Sequence, residues 1–271
     1  MTKIIQPISA ESNYSFSARK GEVYLVGCGL GDVEQLTLKA YRIIREAQVI
    51  LYDNLITPEI LELIPSETRK IYVGKPKDCH SISQDRINNL IADYAGQGFS
   101  VARLKSGDPY IFGRGSEEAL FLLERGYSVD VVAGISSCVS GSACAGIPPT
   151  ARGYASSFSV VSAHLKEGKF NTDWLPLLKL ANHTTVVLMG LSLAGRIKKA
   201  AYAIGISRTL PVAIVANASR PEQESIVTTL AGLEKAAKTV SGPAVIIFGD
   251  VVTLHGKLPQ YHPQSVEVQP I

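Results

Sequence analysis

Two short stretches combine glycine with charge in a way that can hold a small ligand. The first, Gly27-Cys28-Gly29-Leu30-Gly31-Asp32, closes an apolar run. Alternate glycines there let the chain turn sharply and bring backbone close to a bound molecule. One reading is a dinucleotide loop, with Asp53 at the end of the next apolar run as its ribose carboxylate. Asp32 argues against it, because it stands where the third fingerprint glycine belongs and its charge opposes a pyrophosphate at a helix N-terminus. Asp32 as an N-cap, with no phosphate present, fits better, and a tight turn without a ligand is the plain alternative. The second stretch is Arg103-Leu104-Lys105-Ser106-Gly107-Asp108-Pro109-Tyr110-Ile111-Phe112-Gly113-Arg114-Gly115-Ser116-Glu117-Glu118. Over 103–114 three cations face one anion, Gly107, Gly113 and Gly115 allow the loop to wrap a ligand, and Asp108-Pro109 stiffens one turn. Ser116 is placed to cap the following helix. Loops of this composition also occur with no ligand.

The elements that must carry these loops follow from hydrophobic pattern. Runs at 23–27, 49–52, 70–74, 101–105 and 129–132 are mostly apolar on successive residues, as in parallel strands covered on both faces. Helical patterns lie between them at 34–47, 58–63, 84–96 and 117–125, with Ser83 as an N-cap and Gly96, Gly98 and Gly126 at helix ends. Strand followed by helix, repeated, predicts a βαβ sheet. Further strands are expected at 158–164, 184–190, 211–218, 224–230 and 243–249, and helices near 172–181, 192–204 and 231–238. The strands at 211–218 and 224–230 are separated by a short turn with no helix, which predicts an antiparallel pair and a mixed second sheet. The fold class is therefore α/β in two αβα lobes, a parallel N-terminal sheet and a mixed C-terminal one, with a site in the cleft between. The expected organisation is a flexible tail over 1–20, a lobe over 21–134, a small-residue connection over 135–152, a second lobe over 153–256 and a tail over 257–271.

The chain's 271 residues suffice for two such lobes. Lys plus Arg number 27 against 24 Asp plus Glu, so the net charge of +3 gives no general attraction to nucleic acid or membrane. The uncharged window 131–151 holds four Ser, three Gly and a Pro-Pro step, too few large aliphatics for a spanning helix. Cys28, Cys79, Cys138 and Cys144 form no CxxC pair and no zinc-finger spacing. Without a secretory signal, the expectation is a reduced cytoplasmic protein with no metal.

The motifs VYLVGCGLGD (23–32), LTLKA (36–40), VILYDNL (49–55), YVGK (72–75), HSISQDRIN (80–88), RLKSGDPYIFGRGSEE (103–118), AGIPPTAR (145–152) and VANAS (215–219) occur in this order. Together they resemble the uroporphyrinogen-III C-methyltransferases of the tetrapyrrole methylase family, collinearly over about 21–255. The resemblance implies two αβα lobes, a homodimer, and S-adenosylmethionine (SAM) as methyl donor, leaving S-adenosylhomocysteine (SAH). It implies methylation of uroporphyrinogen III at C2 and C7 to precorrin-2, for sirohaem or cobalamin synthesis, with no nucleic-acid or membrane partner. SAM carries no phosphate, so a loop bearing Asp32 and Asp108 suits it. By the same resemblance Leu30 (main chain), Gly107, Asp108, Ile111, Ser136, Ser137, Met189, Ala218 and Ala244 line the cofactor site. Met189 as an ordinary core residue is the alternative. Matching positions make Arg114 and Glu117 catalytic and substrate-binding, and Arg152 substrate-binding, with Lys75, His80 and Lys105 as further contributors. Arginine forks suit a substrate with eight carboxylates.

This sequence departs from the family pattern at Leu30 and Ala133, where prolines are usual, at Ser106 for glycine and at Ala151 for histidine. The fused sirohaem synthases' dehydrogenase–ferrochelatase module is not in these residues. Two alternatives stay open, a methyltransferase of the same family acting on a later corrin precursor and, as a different class, a non-catalytic SAM-binding protein. An NAD-dependent oxidoreductase would leave the 103–118 block unexplained.

Overall fold

The computed structural model describes residues 21–74, 83–165 and 168–261. Five strands form the first sheet: β1 (Glu22–Gly27), β2 (Val49–Tyr52), β3 (Arg69–Tyr72), β4 (Val101–Lys105) and β5 (Ser128–Val132). They lie in the order β3-β2-β4-β1-β5, and every pairing is parallel. Side chains alternate across the sheet. Tyr24 and Val26 of β1 join a core with α1 (Leu38–Glu46) and α2 (Pro58–Glu62), while Val23 and Leu25 join one with α3 (Gln84–Gly96) and α4 (Gly115–Leu123). Both faces are thus covered, which is why the strands read as unbroken apolar runs. Each fully buried Leu or Ile here, such as Leu25, Ile50 or Leu104, contributes roughly 1.5–3 kcal/mol by leaving water.

The second sheet contains β6 (Ser157–Ser162), β7 (His183–Leu188), β8 (Pro211–Ala216), β9 (Glu224–Thr229) and β10 (Ala244–Phe248), ordered β6-β7-β10-β8-β9. Only β6 and β7 are parallel; β8 and β9 form the antiparallel pair that their short connection predicts. One face packs on α6 (Ala194–Ala203) and α7 (Leu233–Ala237), the other on α5 (Ser137–Cys144). The small-residue segment therefore does more than connect: Cys138, Ala145 and Ile147 belong to the second sheet's core.

Several boundaries differ from the sequence expectation for local reasons. The helix expected over 34–47 is divided into a 3-10 turn at Val33–Gln35 and α1, because Leu36 is extended and Thr37 caps α1 at Ala40 N. Asp32 does cap, but the cap belongs to the 3-10 turn. Ser116 does not cap α4; that position falls to Arg114 in a left-handed conformation, with no side-chain cap bond. The helix expected over 172–181 is a 3-10 segment, Leu175–Lys179. Ser83 caps α3 as expected. Among the described residues no helix is long and apolar enough to cross a membrane.

Candidate active site

In the first sheet β1 and β4 are neighbours, yet the helices that follow them, α1 and α4, lie on opposite faces. Loops leaving such a pair diverge, and open α/β sheets bind ligands in the crevice this creates. Both glycine-rich blocks arise here. Their backbones join directly, Gly107 N–H donating to Gly29 O at 2.7 Å and Gly29 N–H to Gly107 O at 3.3 Å. The loop after β5 enters the same junction. A Cβ on Gly134 would sit 2.1 Å from Gly107 O, and one on Gly27 would sit 2.5 Å from Gly134 N. Only glycine permits three strand ends to meet this closely. Asp108 fastens the junction: its carboxylate accepts from Gly134 N–H at 3.1 Å and Tyr110 N–H at 2.8 Å.

Above this junction lies a cavity of about 630 Å³ shared by both sheets. The nine residues Leu30, Gly107, Asp108, Ile111, Ser136, Ser137, Met189, Ala218 and Ala244 all line it. They come from the loops after β1, β4, β5, β7 and β8 and the start of antiparallel β10. Met189 is 49% exposed with a φ of 58°, so it is no core residue. The Ser136 hydroxyl is spent on capping α5 at Cys138 N, and Leu30 O accepts from Arg220. Ser106 directs its hydroxyl to Gly29 O at 3.4 Å, a tie that glycine there would lack. Asp32 is absent from the cavity lining; it accepts from Glu34 N–H and from the Tyr261 hydroxyl.

Arg114 lines the cavity, and Glu117 holds it. The guanidinium makes a fork to that carboxylate, Nε to Oε1 at 2.9 Å and Nη2 to Oε2 at 2.7 Å, with both side chains about half exposed. Hydrogen bonding to Glu117 raises the guanidinium pKa further, so Arg114 is a fixed cation. Glu117 and Arg152 are not among the lining residues, and Arg152 is exposed. Lys75 and His80 lie outside the described residues. The loop carrying Arg114 is closed by Gly115 N–H donating to Pro109 O at 2.9 Å, and Cβ atoms at Gly113 and Gly115 would collide with that carbonyl. This curl leaves Tyr110, Ile111 and Phe112 exposed. Phe112, Arg114, Met189 and Asn217, four of the six non-glycine residues with positive φ among those described, line the cavity. Such strain persists only where the surroundings enforce it, and it clusters at functional sites.

Beneath the cavity is a charge cluster that sequence reasoning missed. Arg103 and Lys105, two apart on β4, share the face covered by α3 and α4. Lys105 Nζ lies 2.9 Å from Glu118 Oε2, Arg103 Nη2 lies 2.8 Å from Asp53 Oδ2, and Gln84 donates to Glu118 Oε1 at 2.9 Å. Glu118 is wholly buried. Burial pushes the Lys105 pKa down, opposed by Glu118. Lys105 is thus primarily the partner of a buried acid, although it borders the cavity. The signal available was two cations at strand spacing inside an apolar central strand, which require a buried carboxylate. Asp53 is likewise committed to Arg103. Among the described residues no cluster of three or more His, Cys, Asp or Glu is arranged for a metal. Also unforeseen was Arg220, which lines the cavity from the β8–β9 turn.

The family profile of Tetrapyrrole (Corrin/Porphyrin) Methylases matches residues 22–234. The chain is 43% identical over 241 residues to the siroheme synthase of Pseudoalteromonas atlantica, covering 88% of this chain and 52% of that protein. It is 42% identical over 257 residues to the siroheme synthase of Acinetobacter baylyi, covering 94% and 56%. It spans about half the length of the curated relatives it matches. A solved structure of uroporphyrin-III C-methyl transferase from Thermus thermophilus, complexed with S-adenyl homocysteine, superposes with a TM-score of 0.76 at 40% identity, covering 86% of this chain and 99% of that one. A cobalt precorrin-4 methyltransferase, at 21% identity and a TM-score of 0.75 over 86% of this chain and 96% of that one, shares the fold.

Proposed function

The chain belongs to the tetrapyrrole (corrin/porphyrin) methylases, and from that premise we propose that it methylates uroporphyrinogen III at C2 and C7 with SAM as donor, giving precorrin-2 for sirohaem or cobalamin synthesis. One observation carries this reading: nine residues scattered from Leu30 to Ala244 line a single cavity at the sheet's crevice. Its volume of about 630 Å³ falls in the range of about 300–1,000 Å³ common for small-molecule sites. Its walls fit SAM. Ile111, Leu188, Met189 and Val215 offer apolar surface, Ala218 and Ala244 keep space open, and Asp108 presents a carboxylate to a cation. Among the described residues no cluster of unpaired cations awaits a phosphate.

SAM supplies an electrophilic methyl on sulfonium sulfur, already activated, so catalysis by this chain rests on alignment and exclusion of water. Arg114, kept in one orientation by Glu117, offers its outer N–H groups to a substrate carboxylate. Glu117 acts through Arg114 as a positioning residue. The exposed Tyr110, Ile111 and Phe112 give a macrocycle an apolar edge to rest on. The same reading makes the protein a cytoplasmic homodimer, for which light scattering should return twice the chain mass.

The test is anaerobic incubation with labelled SAM and uroporphyrinogen III followed by mass analysis. Two added methyl groups are expected. Unchanged tetrapyrrole beside an active control enzyme would reject methylation, and SAH binding retained in that case would point to the non-catalytic alternative.

A further inference from the structure

Four cations line the cavity: Arg103, Lys105, Arg114 and Arg220. Three have a carboxylate in contact, Asp53, Glu118 and Glu117 respectively. Arg220 has none among the described residues. Its side-chain hydrogen bonds run to two main-chain carbonyls of the first lobe, Nε to Leu30 O at 3.0 Å and Nη2 to Leu55 O at 2.9 Å. Glu222 and Glu59 are felt electrostatically without contact, and burial pushes the guanidinium pKa down from its ordinary value. A partly desolvated cation is thus held at a cavity wall with its charge uncompensated, an arrangement that is costly unless an anion arrives.

The geometry is prepared for one. A guanidinium has five N–H donors in one plane. The two carbonyls use one on Nε and one on Nη2 and fix that plane, leaving both on Nη1 and the second on Nη2. The turn carrying Arg220 is itself constrained: Asn217 and Ser219 have φ of 49° and 66°, Ser219 N–H donates to Gln223 Oε1 at 2.8 Å, and Asn217 Nδ2 donates to Ser241 O at 3.1 Å. Arginine in such a preset fork suits carboxylates and loses little freedom on binding.

We propose that Arg220 is a substrate-binding residue, whose remaining donors take a carboxylate of the acid-rich tetrapyrrole from the second sheet's side of the cavity, as Arg114 does from the first. This rests on the methyltransferase reading above. Arg152, exposed and outside the cavity lining, contributes less.

The full-length protein carrying Arg220→Gln, Arg220→Lys or Arg152→Ala is compared with the unchanged chain in KM for uroporphyrinogen III, kcat, and SAH affinity by calorimetry. Arg220→Gln is expected to raise KM roughly 10- to 100-fold, the loss of a charge-assisted contact, with SAH affinity within about twofold. Arg220→Lys, which keeps the charge, should recover part of that loss, and Arg152→Ala should shift KM less than Arg220→Gln. Unchanged KM in Arg220→Gln, or equal losses of SAH and tetrapyrrole affinity, would reduce Arg220 to a pin between loops. If Arg220→Gln fails to fold, Arg220→Lys decides: KM raised with SAH affinity kept supports the proposal, and KM unchanged overturns it. Should the unchanged chain show no turnover, binding of uroporphyrin III (eight carboxylates) against coproporphyrin III (four) separates the two readings. A preference for the former that Arg220→Gln removes keeps the site while methylation fails; binding of neither removes both.

Discussion

Arg114 has three neighbours in sequence that each dictate part of its state: Gly113 and Gly115 curl the loop, and Glu117, one helical turn on, receives its guanidinium. Their roles should therefore separate kinetically. Arg114→Ala is expected to abolish turnover while SAH affinity stays within about twofold. Glu117→Gln keeps the arginine but releases its fork, and kcat should fall about tenfold or more, since small misplacements of an aligning group are costly. Loss of SAH affinity in either variant would move both residues into the cofactor pocket instead. At this scale the sequence was informative where a motif fixed the neighbourhood, as at Leu30, Gly107, Asp108, Ile111, Arg114 and Ala218, which all border one cavity. It was silent on Arg220, whose place in the cavity depends on a strained turn from the other lobe reaching two carbonyls some 165 and 190 residues away. For Lys105, which borders the cavity, it did not identify Glu118 as the buried partner. Spacing within one strand reveals a face, but the helix that covers that face is a tertiary fact.

The ends of β1, β4 and β5 are held together by contacts no side chain can share. Gly134 carries no positive φ, so Gly134→Ala tests sterics alone: the added methyl meets Gly107 O. It is expected to cost about 2–3 kcal/mol in denaturant unfolding, as overpacking does, and to weaken SAH binding because Gly107 and Asp108 must shift. Gly98→Ala is the contrast. There φ is 88° with open space around it, so the cost should be about 1 kcal/mol with SAH affinity unchanged. Equal SAH affinity in both variants would detach the junction from the cofactor site. The elements themselves were largely readable, because burial on both faces leaves apolar runs and the short 217–223 connection forces an antiparallel pair. Boundaries were less so. The expected 34–47 helix breaks at an extended Leu36, and Ser116 loses its capping role to a left-handed Arg114. At Arg114 the outcome goes with the loop's place at the cavity rather than with local capping preference.

The two sheets meet through polar side-chain contacts, to backbone and to other side chains, as well as through packing. Arg220 reaches Leu30 and Leu55, Gln35 accepts from Ser140 of α5 at 3.3 Å, and Tyr261 donates to Asp32. Contacts of this kind open more readily than a shared apolar core, so the lobes are expected to be coupled most strongly when a ligand fills the space between them. SAH at one hundred times its Kd should add about 2.7 kcal/mol to stability by mass action, raising the melting temperature by several degrees. The distribution of that gain tests the architecture. Hydrogen exchange should slow together in peptides covering 107–114 from the first sheet's loops, 134–137 at the start of the connection, and 189–192, 215–220 and 242–245 from the second sheet. Slowing confined to the first lobe would mean that SAH occupies the crevice of one sheet alone, and that the second sheet's contribution, Arg220 included, serves only the tetrapyrrole.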